Sequence, residues 1–163
     1  MPEYTSAPDV AAIAAPLIEQ HHGHLDGIRV EFVFRDKAAK KNGKEVGGTA
    51  RKVSGLTAFL ARDGEQGGDY SEDFFVIEIA EDIWSDLTPH QKRALVDHEL
   101  MHCTIELDEK TDALKLGIRG HDIEEFAEIV QRHGVWSRDL ADFAAATKEQ
   151  LDLFHDASIA RAS

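Results

Sequence analysis

Apolar positions mark out most of the chain before any single residue is considered. Over 8–22, Val10, Ala14, Leu17, Ile18 and His21 recur at helical spacing and predict a first helix. The pattern then switches to a period of two. Ile28, Val30, Phe32 and Phe34 alternate with Arg29, Glu31 and Arg35, as in a half-buried strand. Residues 37–44 are basic and contain Gly43, which suits a solvated loop. Residues 49–61 read as a weaker strand with Gly55 as a bulge. Residues 64–69, rich in glycine, read as a turn. The run 74–80 is a strongly apolar strand, expected at the edge of the sheet, where an extended peptide could pair with it.

Three helices are expected in the C-terminal half. The first covers 88–103, with Thr88 as N-cap, Pro89 in the first turn and Gln91 completing a capping box. The second covers 122–133, opened by a box of Asp122 and Glu125. Its inward stripe is Ile123, Phe126, Ala127 and Val130, and Gly134 stops it. The third covers 138–156, with Leu140, Phe143, Ala144, Leu151 and Phe154 inward. Strands and helices that fall into separate blocks predict an α+β fold. The expectation is one domain, 1–163, with a mostly antiparallel sheet of about three strands and about four helices.

Charge narrows the function. Acidic residues number 31 against 18 basic ones, for a net charge of −13. Such a balance disfavours nucleic acid and an anionic membrane surface as partners. No apolar run reaches the roughly 20 residues of a membrane span, and the N-terminus lacks the basic start of a signal peptide. Cys103 is the only cysteine, so no internal disulfide forms, which fits a reducing cytoplasm. At its position Cys103 reads as a small buried residue.

The helix opened by Thr88 contains His98-Glu99-Leu100-Met101-His102. Two histidines four apart stand one above the other on a helix face, so both imidazoles can reach a single Zn²⁺. Glu99 sits about 100° round the helix, beside the ligands, where a carboxylate can act as general base on a zinc-activated water. Random placement of the chain's 9 histidines with its glutamates produces roughly 0.04 such matches, so the pattern is informative.

A catalytic zinc needs a third protein ligand. The extended pattern with Gly and a third His fails, because Ile105 and Asp108 stand at those places. His121 is the leading candidate, just before the 122–133 helix. Glu124, Glu125 and Glu128 are its rivals, and Asp122 could instead orient a liganding histidine. His21, His22 and His24 read as a helix end with favourable charge at the dipole terminus, and His133 likewise. His90 reads as exposed. Tyr70, Arg119 and His133 are conceivable oxyanion partners, with nothing to choose among them.

Two stretches carry a family likeness: Ala94-Leu95-Val96-Asp97-His98-Glu99-Leu100-Met101-His102-Cys103, and His121-Asp122-Ile123-Glu124-Glu125-Phe126. With the strand at 74–79 and the segment 132–136, they resemble the phage metallopeptidase family over roughly 28–157, and more distantly the SprT-like metalloproteases. The resemblance implies a minimal zincin-like domain. His98, His102 and His121 would hold one Zn²⁺ per chain, with Glu99 as catalytic base. It implies a peptide or protein substrate and, for a phage or prophage protein, the cytoplasm of a bacterial host. A non-catalytic zinc protein that binds a host or phage protein is the alternative reading.

Overall fold

The computed structural model describes residues 1–61 and 73–162. The turn expected at 64–69, and Tyr70, lie outside them. The chain divides into two compact units, Met1–Arg119 and Gly120–Ser163.

The first unit opens with β1 (Tyr4–Ser6), α1 (Pro8–His21) and a single 3₁₀ turn (Gly23–Leu25). Then come β2 (Val30–Arg35), β3 (Ala39–Lys41), β4 (Lys44–Val46), β5 (Gly48–Val53) and α2 (Gly55–Leu60). The next elements are β6 (Phe74–Ala80), α3 (Glu81–Asp86), α4 (Pro89–Met101), β7 (Cys103–Leu107) and β8 (Leu114–Ile118). The fold class is α+β, as the segregation of elements implies, but the sheets are mixed. The main sheet has the order β1-β2-β6-β5. Its central pair, β2 and β6, is parallel, while β1–β2 and β5–β6 are antiparallel.

β6 is therefore interior and not the edge strand expected from its sequence; β5 ends the sheet among the described residues. Its composition explains the position. Phe75, Ile77 and Ile79 have no exposed surface, and Phe74, Glu78 and Ala80 are buried as well. A strand paired on both sides and apolar on both faces belongs in the middle of a sheet. On one face lie Val10, Ala14 and Leu17 of α1 and Val96 and Leu100 of α4, which join the β6 side chains in a single core. Fully burying a side chain of this size stabilises by about 1.5–3 kcal/mol.

Other local readings change too. The basic loop at 37–44 is part of a hairpin, β3 paired with β4. Asn42 and Gly43 both have positive φ (52° and 77°), the backbone of a two-residue type I′ turn. The strand expected over 49–61 ends at Val53. Gly55, at φ 59°, begins α2 instead of forming a bulge. Of the His cluster, His21 is exposed and His22 is the buried member.

The second unit contains α5 (Ala127–His133) and α6 (Arg138–Ala162). α5 begins five residues later than expected. Asp122 and Glu125 do not cap it: Phe126 is the N-cap residue, and the Glu125 carboxylate accepts the Phe126 N–H at 2.8 Å. The inward stripe fails with it, since α5 has no buried residue and Phe126 is exposed. On α6 Leu140 is buried, whereas Phe143 and Leu151 are exposed. No helix among the described residues is long and apolar enough to cross a membrane.

Candidate metal centre

α4 starts as its sequence prescribes. The Thr88 Oγ1 accepts the Gln91 N–H at 3.2 Å, and the Gln91 Oε1 accepts the Thr88 N–H at 3.0 Å. Both orphan donors at the helix start are thus satisfied. The helix then carries His98 and Glu99 in its last turn and places His102 at its C-cap. One turn of separation leaves the two imidazoles 5.1 Å apart, centroid to centroid, at an interplanar angle of 78°.

His102 is fixed by its second ring nitrogen. The Nδ1–H donates to the Arg119 carbonyl at 2.6 Å, which leaves Nε2 as the lone-pair nitrogen. The Arg119 N–H in turn donates to the His102 carbonyl at 2.8 Å. This exchange continues the antiparallel β7–β8 ladder by one step beyond its last pair, Cys103 with Ile118. The hairpin, not among the elements expected from the sequence, brings Arg119 back beside His102. His121 follows Arg119 by two residues, and that covalent tether limits how far it can lie from His102. Among the described residues, His98, His102 and His121 are the group that could hold a metal ion. Three imidazole nitrogens suit a borderline divalent ion such as zinc. Glu124, Glu125 and Glu128 are exposed and stand outside this group.

Glu99 is 3% exposed, and its carboxylate lies against β5 at Gly48 while still near His102. Its carboxylate accepts the Ala50 backbone N–H. The hydrogen-bond alternation of the sheet explains that contact. The Ala80 N–H donates to the Gly47 carbonyl at 2.9 Å, so in this register Gly48, Ala50 and Lys52 turn their backbone groups away from β6. Glu99 takes one of these outward donors. Gly48 makes room for it: a Cβ there would lie 2.6 Å from the Glu99 Oε1. Burial pushes the Glu99 carboxyl up to about 7, against the pull of His102 and the Ala50 amide. Gly48 and Ala50 carry no polar side chain, which is why no sequence signal named them.

Cys103 is buried as expected, and burial, followed by the nearby Glu99, pushes its thiol up to about 12. His22 and His24 are more than a charged helix end. The His22 Nε2–H donates to the Asp97 carboxylate, and the His24 Nε2–H donates to the Cys103 carbonyl at 2.8 Å. His90 and His133 are exposed.

A family model described as "Putative phage metallopeptidase" matches residues 2–148. The chain belongs to this family. The phage metallopeptidase family implies a metal ion and a peptide or protein substrate, and the three histidines are a group that could hold such an ion. No curated protein and no solved structure matches the chain.

Proposed function

We propose that this protein is a zinc-dependent peptidase in which His98, His102 and His121 hold one Zn²⁺ and Glu99 is the general base. The observation that carries this reading is the position of Glu99. A buried carboxylate stands beside two histidines of one helix turn and is tied to the Ala50 N–H of β5, the last strand of the main sheet. When bound, zinc polarises a peptide carbonyl and acidifies water. Glu99 takes the proton of the attacking water and returns it to the leaving amine nitrogen. The Arg119 carbonyl keeps His102 in the tautomer that a metal requires. β5 takes over the role expected of the 74–80 strand, offering the outward backbone groups of Gly48 and Lys52 to an extended peptide. We take the cytoplasm of a bacterial host as its compartment, where a lone thiol stays reduced.

The test is Glu99→Gln in the zinc-loaded protein. Gln keeps the size and the hydrogen bond to Ala50 but cannot accept a proton. Zinc content should stay at wild-type level while peptide hydrolysis falls about 10²–10⁴-fold. Undiminished cleavage by the variant would refute Glu99 as base. A zinc site that only holds the fold would show no hydrolysis in either protein.

A further inference from the structure

The chain's cations are concentrated around the β5 edge. Residues 37–52 contain six Lys or Arg and one acid, Glu45, in a chain of net charge −13. Lys40, Lys41, Lys44 and Lys52 are exposed, and none is in a salt bridge among the described residues. In the β3–β4 hairpin Lys41 stands directly opposite Lys44 across the Asn42-Gly43 turn. Like charges facing each other across a hairpin destabilise it, so the pair has an unmet demand for negative charge.

The hairpin is anchored, so its charges have a defined address. The Ala38 N–H donates to both carboxylate oxygens of Asp82, at 3.0 and 3.1 Å. Gly47 sits against Ile83 and Leu95. Lys44 is four residues before Gly48, a contour of about 14 Å at most. Lys52 is four residues after Gly48, on the same face as Gly48 and Ala50. Cations therefore flank, on both sides, the stretch of edge that meets Glu99.

We infer that this edge binds acidic peptide segments, with Asp or Glu of the substrate on either side of the residues opposite Gly48 and Ala50, held by Lys41, Lys44 and Lys52. The inference rests on the peptidase reading given above. A peptide satisfies both features of the edge at once, its backbone meeting the outward groups of β5 and its carboxylates meeting the lysines. A nucleic acid strand would meet the lysines alone. Residues 37–52 contain no aromatic side chain on which a base could stack, and the rest of the chain is strongly acidic.

Binding and cleavage are measured separately. Zinc-loaded Glu99→Gln protein is titrated against three fluorescein-labelled peptides of equal length, identical except for Glu, Gln or Lys at the flanking positions. The Glu peptide should bind about tenfold more tightly than the Gln peptide near 0.1 M salt, and the advantage should shrink at about 0.5 M. In the same background, Lys41→Glu, Lys44→Glu and Lys52→Glu together should turn the preference toward the Lys peptide. Equal affinities, a Glu preference that survives the charge reversal, or tighter binding of a single-stranded oligonucleotide of matched charge would each overturn the inference. The wild-type protein is then assayed for cleavage of the three peptides. Cleavage without charge preference defeats the inference and leaves the peptidase reading standing. Charge-selective binding without cleavage does the opposite.

Discussion

The Nε2 of His22 lies 2.6 Å from the Oδ1 of Asp97, a contact that spans 75 residues of sequence and ends one residue before His98. His22 is almost fully buried, so its ring has no water to fall back on if Asp97 is removed. The end of α1 and the last turn of α4 are thereby pinned together, and His24 adds a second pin on the Cys103 carbonyl. His22→Ala should lower the unfolding free energy by about 1–3 kcal/mol, because it leaves a cavity where an almost fully buried ring was packed. Asp97 is partly exposed, so Asp97→Asn should cost less. Urea denaturation of the two variants checks the order; a His22→Ala protein as stable as wild type would show that the pin is not structural.

Removing both α4 imidazoles should abolish metal binding. We expect one zinc per wild-type chain and none in the His98→Ala, His102→Ala double variant, measured by elemental analysis after dialysis. His121→Ala should weaken zinc binding strongly and Glu125→Gln hardly at all, since Glu125 is engaged with the Phe126 N–H. Full zinc in His121→Ala would assign the third ligand elsewhere.

Gly48 allows no side chain where Glu99 now sits. A methyl group from Gly48→Ala would meet the Glu99 carboxylate at 2.6 Å, and the carboxylate is the part that can move. Activity should therefore suffer more than stability. Peptide hydrolysis should fall by up to about 10²-fold, the scale of an ångström's misplacement of a reacting group. Circular dichroism should show the fold retained. Wild-type turnover by Gly48→Ala would mean that the placement of Glu99 is not critical.

Glu99 also gives the metal-free protein a pH-dependent stability. Its carboxyl titrates at about 7 when folded, above its ordinary 4.5, because of burial. The folded state thus holds a proton that the unfolded state releases between those values, and stability falls as pH rises through that window. Glu99→Gln removes the effect. Without metal, it should melt at a higher temperature than wild type at pH 8, by the equivalent of about 1–3 kcal/mol, with the gap closing toward pH 4. A gap independent of pH would contradict this account.

The parts of the site visible in the sequence are those set by local rules. The Thr88 capping box and the four-residue spacing of His98 and His102 each depend on one helix alone. The apolar run at 74–80 was legible as a strand, but not its neighbours, because strand order is decided by partners distant in sequence. The same limit hid β5 as the edge and the Ala50 N–H as the partner of Glu99. The β7–β8 hairpin did carry a period-two signal, Cys103, Ile105 and Leu107 alternating with Thr104 and Glu106, and Leu114, Leu116 and Ile118 with Lys115 and Gly117, but its strands are short and half exposed. The Asn42-Gly43 pair did carry a hairpin signal, masked by the lysines around it. In the second unit, apolar residues at helical spacing suggested a buried stripe that α5 and α6 do not make, since Phe126, Phe143 and Leu151 are exposed. Periodicity there marks one side of a helix without saying whether anything covers it.

The ladder that closes at His102 and Arg119 makes the interval between the second and third histidines a matter of length rather than chemistry. The hairpin turns near Asp112, well away from its base. Lengthening both strands equally at that end would leave His102 opposite Arg119 and His121 two residues beyond. A single residue inserted in one strand would instead have to be absorbed as a bulge or would slip the register. Insertion in the turn between Leu107 and Leu114, or equal lengthening of both strands, would change the interval without moving the site, so a search that fixes the spacing after the second histidine would overlook members with the same site.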